Sequence, residues 1–299
     1  MEKNVGAYWT SEHLLMKNSN WTIESGEFGP RMVMHTAWSN EALVAAKENQ
    51  IKELELNHAK GWRRTELLFL RDLEDRLRSF SILDFNIDDI SPVNCLSQLR
   101  VLRINTYCNT RIDFNLFPHL RYCYLEWRAK ASSVFEHAGI EKLFINKYPK
   151  RDFDAFSAMS GLRELSLTSS KLETCAGIEY LAKLSFLGIY FARKLRTIDG
   201  IQNLKMLTKL EINNCPSLHD ISLVGELLKL EHLALCTNQK IDTIKSLRNL
   251  KNLETFLFYE STNIEDGDLS PLEELPNLKT VAFQERSHYT HTRNDFRLG

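Results

Sequence analysis

The sequence predicts an α/β solenoid, in which short strands stack into one parallel sheet and short 3₁₀-like or irregular segments return the chain between them. Two observations predict it. A six-residue phrase, apolar at its positions 1, 4 and 6, begins at Leu77, Leu99, Leu120, Ile140, Leu162, Leu184, Leu207, Leu230, Leu253 and Leu278, with successive starts 20 to 25 residues apart. Between phrases, apolar residues recur at every third position, as in Leu195, Ile198, Ile201 and Leu204, or Ile241, Ile244, Leu247 and Leu250. The first spacing is that of a repeat whose units bury a core only by stacking. A period of three fits a tight 3₁₀ return better than an α-helix.

In a strand, alternate side chains point to opposite faces, so positions 4 and 6 turn to one side and positions 3, 5 and 7 to the other. The apolar set is therefore the core, and the intervening residues line the sheet's open face.

The first fifty residues do not repeat. Trp21–Ile23 and Arg31–His35 read as short strands around Glu24–Pro30, which holds two glycines and a proline. Ser39-Asn40 offers an N-cap to a helix over Glu41–Asn49, and Ile51–Asn57 reads as the first strand. Residues 1–50 are thus expected to cap the open end of the stacked core. The pattern of Leu67, Leu68, Leu70 and Leu73 within Arg63–Arg76 predicts an amphipathic helix. Repeats are expected over 51–286. The last stretch, 287–299, is polar and rich in His and Arg, and is read as a terminal cap and loose tail.

Composition narrows the function classes. Among 299 residues, 38 Lys and Arg balance 39 Asp and Glu, so no global field favours nucleic acid or anionic lipid. There is no apolar run of membrane length, and Met1–Asn4 does not lead into an apolar signal core. The six cysteines, Cys95, Cys108, Cys123, Cys175, Cys215 and Cys236, are scattered without a CxxC pair. Reduced thiols in a cytoplasmic protein are the expectation.

The phrase and its spacing resemble the leucine-rich repeat family, with a length similar to the repeats of internalins and of a leucine-rich regulator of a protein phosphatase. The resemblance covers residues 51–286 and implies a curved horseshoe with a parallel sheet on the concave side, where the family typically binds proteins. One departure stands out. The family places Asn or Cys at position 9, but here that position reads Phe85, Tyr107, Arg128, Tyr148, Ser170, Ala192, Cys215, Asn238, Ser261 and Arg286. The turns leaving the sheet are therefore expected to be irregular, especially in the first four repeats.

Counting along the phrase names the exposed side chains. Tyr122, Tyr124, Trp127 and Phe144 fall on adjacent strands, Phe186, Tyr190 and Phe191 on one strand farther on, and Tyr259 near the end. Ser166, Gly188 and Ala234 leave position 5 shallow between them, so an aromatic-walled trough is expected there. Large aromatics on a solvated sheet face are the type enriched at binding hot spots. The charges are mixed, with Arg103, Lys142, Lys147 and Lys209 against Glu126, Glu164, Glu211 and Glu260; Lys142 and Glu164 are expected to pair.

Catalytic and metal readings fail on spacing. His232 and Cys236 share a face but lie four residues apart on a strand, roughly 13 Å, too far for a nucleophile and its base. In Asn263–Asp268 the calcium-loop register puts Thr262 and Ile264 where acidic ligands belong. His288 and His291 lack further ligands, and no glycine motif cradles phosphate. No cofactor or metal is expected. The sequence thus predicts a non-enzymatic, monomeric scaffold for a protein or peptide, as an inhibitor or immunity-type protein in its sharpest form. A phosphatase-regulator-like subunit and an architectural solenoid are the alternatives.

Overall fold

The computed structural model describes residues 14–296. It comprises two compact units, Met1–Ser133 and Val134–Gly299. The first holds β1 (Leu14–Lys17), β2 (Trp21–Ser25), β3 (Pro30–Met34), α1 (Asn40–Glu48), β4 (Glu53–Asn57), β5 (Ser79–Leu83), β6 (Val101–Asn105) and β7 (Tyr122–Glu126). These strands neighbour one another in chain order. β1, β2 and β3 run antiparallel in sequence, and from β3 onward every pairing is parallel.

The second unit holds β8 (Lys142–Asn146), β9 (Glu164–Thr168), β10 (Phe186–Tyr190), β11 (Lys209–Asn213), β12 (His232–Ala234), β13 (Lys240–Ile241), β14 (Thr255–Phe258), β15 (Asn263–Ile264) and β16 (Thr280–Phe283). Its main sheet runs β8-β9-β10-β11-β12-β14-β16, and β13 pairs separately with β15.

All ten strands expected from the phrase begin at its third position. Their register stacks like on like: Leu165, Leu187, Leu210, Leu233 and Phe256 are successive neighbours across β9 to β14. Side chains at positions 1, 4 and 6 are buried in every phrase except at Val281, in the last strand. The returns are 3₁₀ segments such as Ser91–Cys95, Ile201–Asn203 and Lys245–Asn249, whose every-third apolar residues face the core.

The Ser39 cap is present, with its hydroxyl accepting from the Ala42 N–H at 3.2 Å, and α1 buries Ala42 and Ala46. The amphipathic helix expected over Arg63–Arg76 is instead a 3₁₀ segment, Leu67–Leu73. Leu67, Leu70 and Leu73 are spaced by three and buried, whereas Leu68, the residue that made the pattern look α-helical, is 52% exposed. At the other end, Tyr289 and Phe296 pack edge-on against Phe283, with ring centroids 5.8 and 6.3 Å away.

The turns leaving the sheet use several chemistries where the resemblance implies a ladder of asparagines. Asn238, fully buried, accepts from the Cys215 N–H at 2.8 Å and donates to the Ile212 carbonyl. Thr262 receives the Asn238 N–H at 3.0 Å, and Ser169 donates to the Tyr148 carbonyl at 2.9 Å. Arg128 does the same work with its guanidinium, donating to the carbonyls of Thr106 and Cys108, each at 2.9 Å. Tyr148 donates to the Asp152 carbonyl at 2.7 Å and buries its ring beside Phe153 and Phe156. Each device answers backbone groups that would otherwise be buried unpaired.

Candidate binding faces of the sheet

Within the second unit, β10 and β11 place Phe186, Tyr190, Lys209 and Glu211 on the open face, with Phe186 opposite Lys209 and Glu211 opposite Gly188, one diagonal step from Tyr190. Three contacts join them in a line. The Lys209 ammonium sits 4.9 Å from the centre of the Phe186 ring and 2.8 Å from a Glu211 oxygen. Glu211's other oxygen accepts the Tyr190 hydroxyl. Burial, then that carboxylate, hold the Tyr190 phenol well above its ordinary range, so it stays a donor.

The trough expected at Gly188 is absent. A Cβ on Gly188 would lie 2.7 Å from the Tyr190 ring, because that ring lies across the glycine and fills the space it leaves. Phe144 is half-buried on β8, and Lys142 pairs with Glu164 at 2.7 Å as expected. Tyr259 is 41% exposed. Cys236 beside it is buried, which keeps its thiol protonated and a poor nucleophile.

Phe191 is different. It follows Tyr190 at position 8, 53% exposed, with φ of 58°. Position 8 is left-handed in four other repeats, at Lys147, Asn214, Thr237 and Glu260, so the chain leaves the sheet in that conformation in five of the ten phrases. Asn suits it; a bulky ring there costs about 1–2 kcal/mol.

Within the first unit, Tyr122 and Tyr124 stand half-buried on β7, and Trp127 half-buried just beyond its end. This unit also carries a polar cleft of about 540 Å³, lined by Arg31, Glu53, Glu55, Lys60, Ser79, Ser81 and Arg103 among others. Two ion pairs close its edges, Arg31–Glu24 at 3.1 Å and Lys60–Glu55 at 3.0 Å. Glu53 is 5% exposed and accepts the Phe28 N–H at 2.7 Å from the β2–β3 loop. Of the cleft's charged residues only Arg103 lies in a counted phrase and is named from the repeat; Arg31 is on the non-repeating β3, and Glu53 and Glu55 are on β4, before the first phrase at Leu77.

Desolvation raises the Glu53 carboxyl above its ordinary value, against the opposing pull of the Phe28 N–H and Arg31. A carboxyl whose folded pKa is raised favours folding below its unfolded pKa, and that contribution is lost as pH rises through the folded one. Glu53→Gln is therefore expected to raise the melting temperature at pH 7 and to change it little at pH 4. Scanning calorimetry at the two pH values measures this.

Among the described residues, no group of three or more His, Cys, Asp or Glu is placed to hold a metal ion. All six cysteines are free. Burial pushes the Cys95 thiol up to about 11 and the Cys215 thiol up to about 12.

Short parallel strands, 3₁₀ returns and side chains bonding turn to turn define a leucine-rich-repeat solenoid fold. The fold is similar to that of an internalin, InlF, from Listeria monocytogenes, at 20% identity over 86% of this chain and 83% of that one, with a TM-score of 0.59. Internalin C2 of the same organism matches 72% of this chain and 84% of its own at 21% identity, with a TM-score of 0.50. The functional domain of InlJ, also from Listeria monocytogenes, matches at 14% identity over 76% and 51%, with a TM-score of 0.52. No protein-family model and no curated protein sequence matches the chain.

Proposed function

We propose that this chain is a non-enzymatic, monomeric binding protein of a reducing compartment, holding a protein or peptide partner on the open face of its sheet. Phe191 carries the reading. A large apolar ring stands mostly in solvent at a backbone position where Asn, as at Asn214, would be easier to hold. Strain kept at an exposed aromatic argues for use. Beside it, the line of contacts through Phe186, Lys209, Glu211 and Tyr190 supplies a surface already fixed in one arrangement, so little side-chain freedom is lost when a partner docks. Phe144 and Tyr259 extend the candidate surface on their own strands of the second unit, and Tyr122, Tyr124 and Trp127 are candidate contacts on the first unit. Where the partner is itself an enzyme, occupation of that surface makes the chain its inhibitor.

The test pairs two readouts on one substitution. Phe191→Asn is expected to gain stability while losing affinity for a partner captured on the immobilised chain.

A further inference from the structure

The cleft of the first unit contains two opposite charges that have no ion-pair partner among the described residues. Along position 5 the register reads Val33, Glu55, Ser81 and Arg103; along position 3 it reads Arg31, Glu53, Ser79 and Val101. Glu24 and Lys60 pair with Arg31 and Glu55. That leaves Glu53 on β4 and Arg103 on β6. Glu53 has one hydrogen bond, from the Phe28 N–H, and no ion pair among the described residues. Among the same described residues Arg103 has neither, although it is partly buried and loses hydration there. Between them, on β5, Ser79 and Ser81 are small and make no side-chain hydrogen bond among the described residues, so the floor is low and offers two hydroxyls.

A polar group withdrawn from water without a partner costs free energy that a bound ligand can return. A lone anion on Arg103 would meet Glu53 and Glu55, and a lone cation on Glu53 would meet Arg31 and Arg103. A ligand carrying both charges answers both. The guanidinium fork matches a carboxylate in two parallel hydrogen bonds, and the Glu53 carboxylate accepts from an ammonium. A cleft of about 540 Å³ is within the ordinary size range of small-molecule sites. The roof is also fitted to Glu53: a Cβ on Gly26 would come within 2.5 Å of its Oε1, so only glycine lets the β2–β3 loop approach this closely.

We propose that this cleft binds a free α-amino acid, with its carboxylate on Arg103, its ammonium on Glu53 and the hydroxyls of Ser79 and Ser81 beneath it. The site is separate from the Phe191 surface, so Phe191→Asn is expected to leave it intact and the two readings fail independently.

The test is isothermal titration of the whole chain with each of the twenty common amino acids, followed by the N-acetyl and carboxamide forms of the tightest binder. At least one amino acid is expected to bind at millimolar concentration or below. Each capped form should bind at least about tenfold more weakly, as should Arg103→Gln and Glu53→Gln. Both variants should melt no lower than the parent at pH 7, which separates a ligand role from a structural one. Absence of binding by all twenty overturns the proposal. So does equal binding of the capped forms, or unchanged affinity in both variants.

Discussion

Phe156→Ala is expected to destabilise the protein by about 4 kcal/mol, the largest effect of any single change considered. Phe156 is fully buried at the end of a one-turn 3₁₀ segment, Asp154–Phe156. Its ring centre lies 5.2 Å from those of Phe135 and Tyr148 and 5.6 Å from that of Phe153. Truncation opens a cavity among rigid rings held by the Tyr148–Asp152 hydrogen bond, so the site has little freedom to collapse. Phe156→Leu keeps most of the volume and is expected to cost less than half as much. Urea denaturation gives both values. A fall in the slope with denaturant would add that the damaged repeat unfolds apart from its neighbours, since each repeat is stabilised chiefly by those beside it.

Asn238→Ala is expected to cost about 3 kcal/mol, through polar groups rather than volume. The side chain answers the Cys215 N–H and the Ile212 carbonyl, both in the preceding repeat. The atoms are beyond the reach of solvent, since Asn238 and Cys215 are both fully buried. Alanine leaves a donor and an acceptor unpaired, and each carries a desolvation penalty of about 1–3 kcal/mol. Asn238→Asp is expected to be no better, because it keeps the acceptor, loses the donor and buries a charge. The same urea titration measures it.

Phe156 and Asn238 solve one problem in different ways, and sequence made only one of them readable. The phrase itself was legible because its leucines obey the period of a strand and the spacing of a stack, and the structure follows it strand by strand. Asn238 falls at the family's own position. Arg128 and Tyr148 fall there too, with a different chemistry and other carbonyls, while Ser169 stands one residue before that position and Thr262 one after. Counting alone cannot find a hydrogen bond that depends on where a turn bends.

The candidate site divides along the same line. Positions 3, 5 and 7 were legible as the open face, and Lys142–Glu164 pairs across it as the register implies. Gly188 was read as a gap because periodicity gives a residue's face and not the direction of its neighbour's ring. Tyr190 folds back over that gap to reach Glu211. The charged cleft had no periodic signal, since its charges come from a few residues on different strands, with Arg31 on the hairpin strand β3, Glu53 and Glu55 on β4 and Arg103 on β6. Leu68 misled for a related reason, an apolar residue in a helical pattern where the chain folds by threes.

The central claim is that the open face around Phe191 binds a partner. The most direct measurement takes a partner captured on the immobilised chain and compares its affinity for the parent and for Phe191→Asn, with the melting temperature of each recorded alongside. Relief of the left-handed strain should stabilise the variant by about 1 kcal/mol, and loss of the ring should weaken binding about 30-fold. A variant that binds as tightly as the parent would contradict the account.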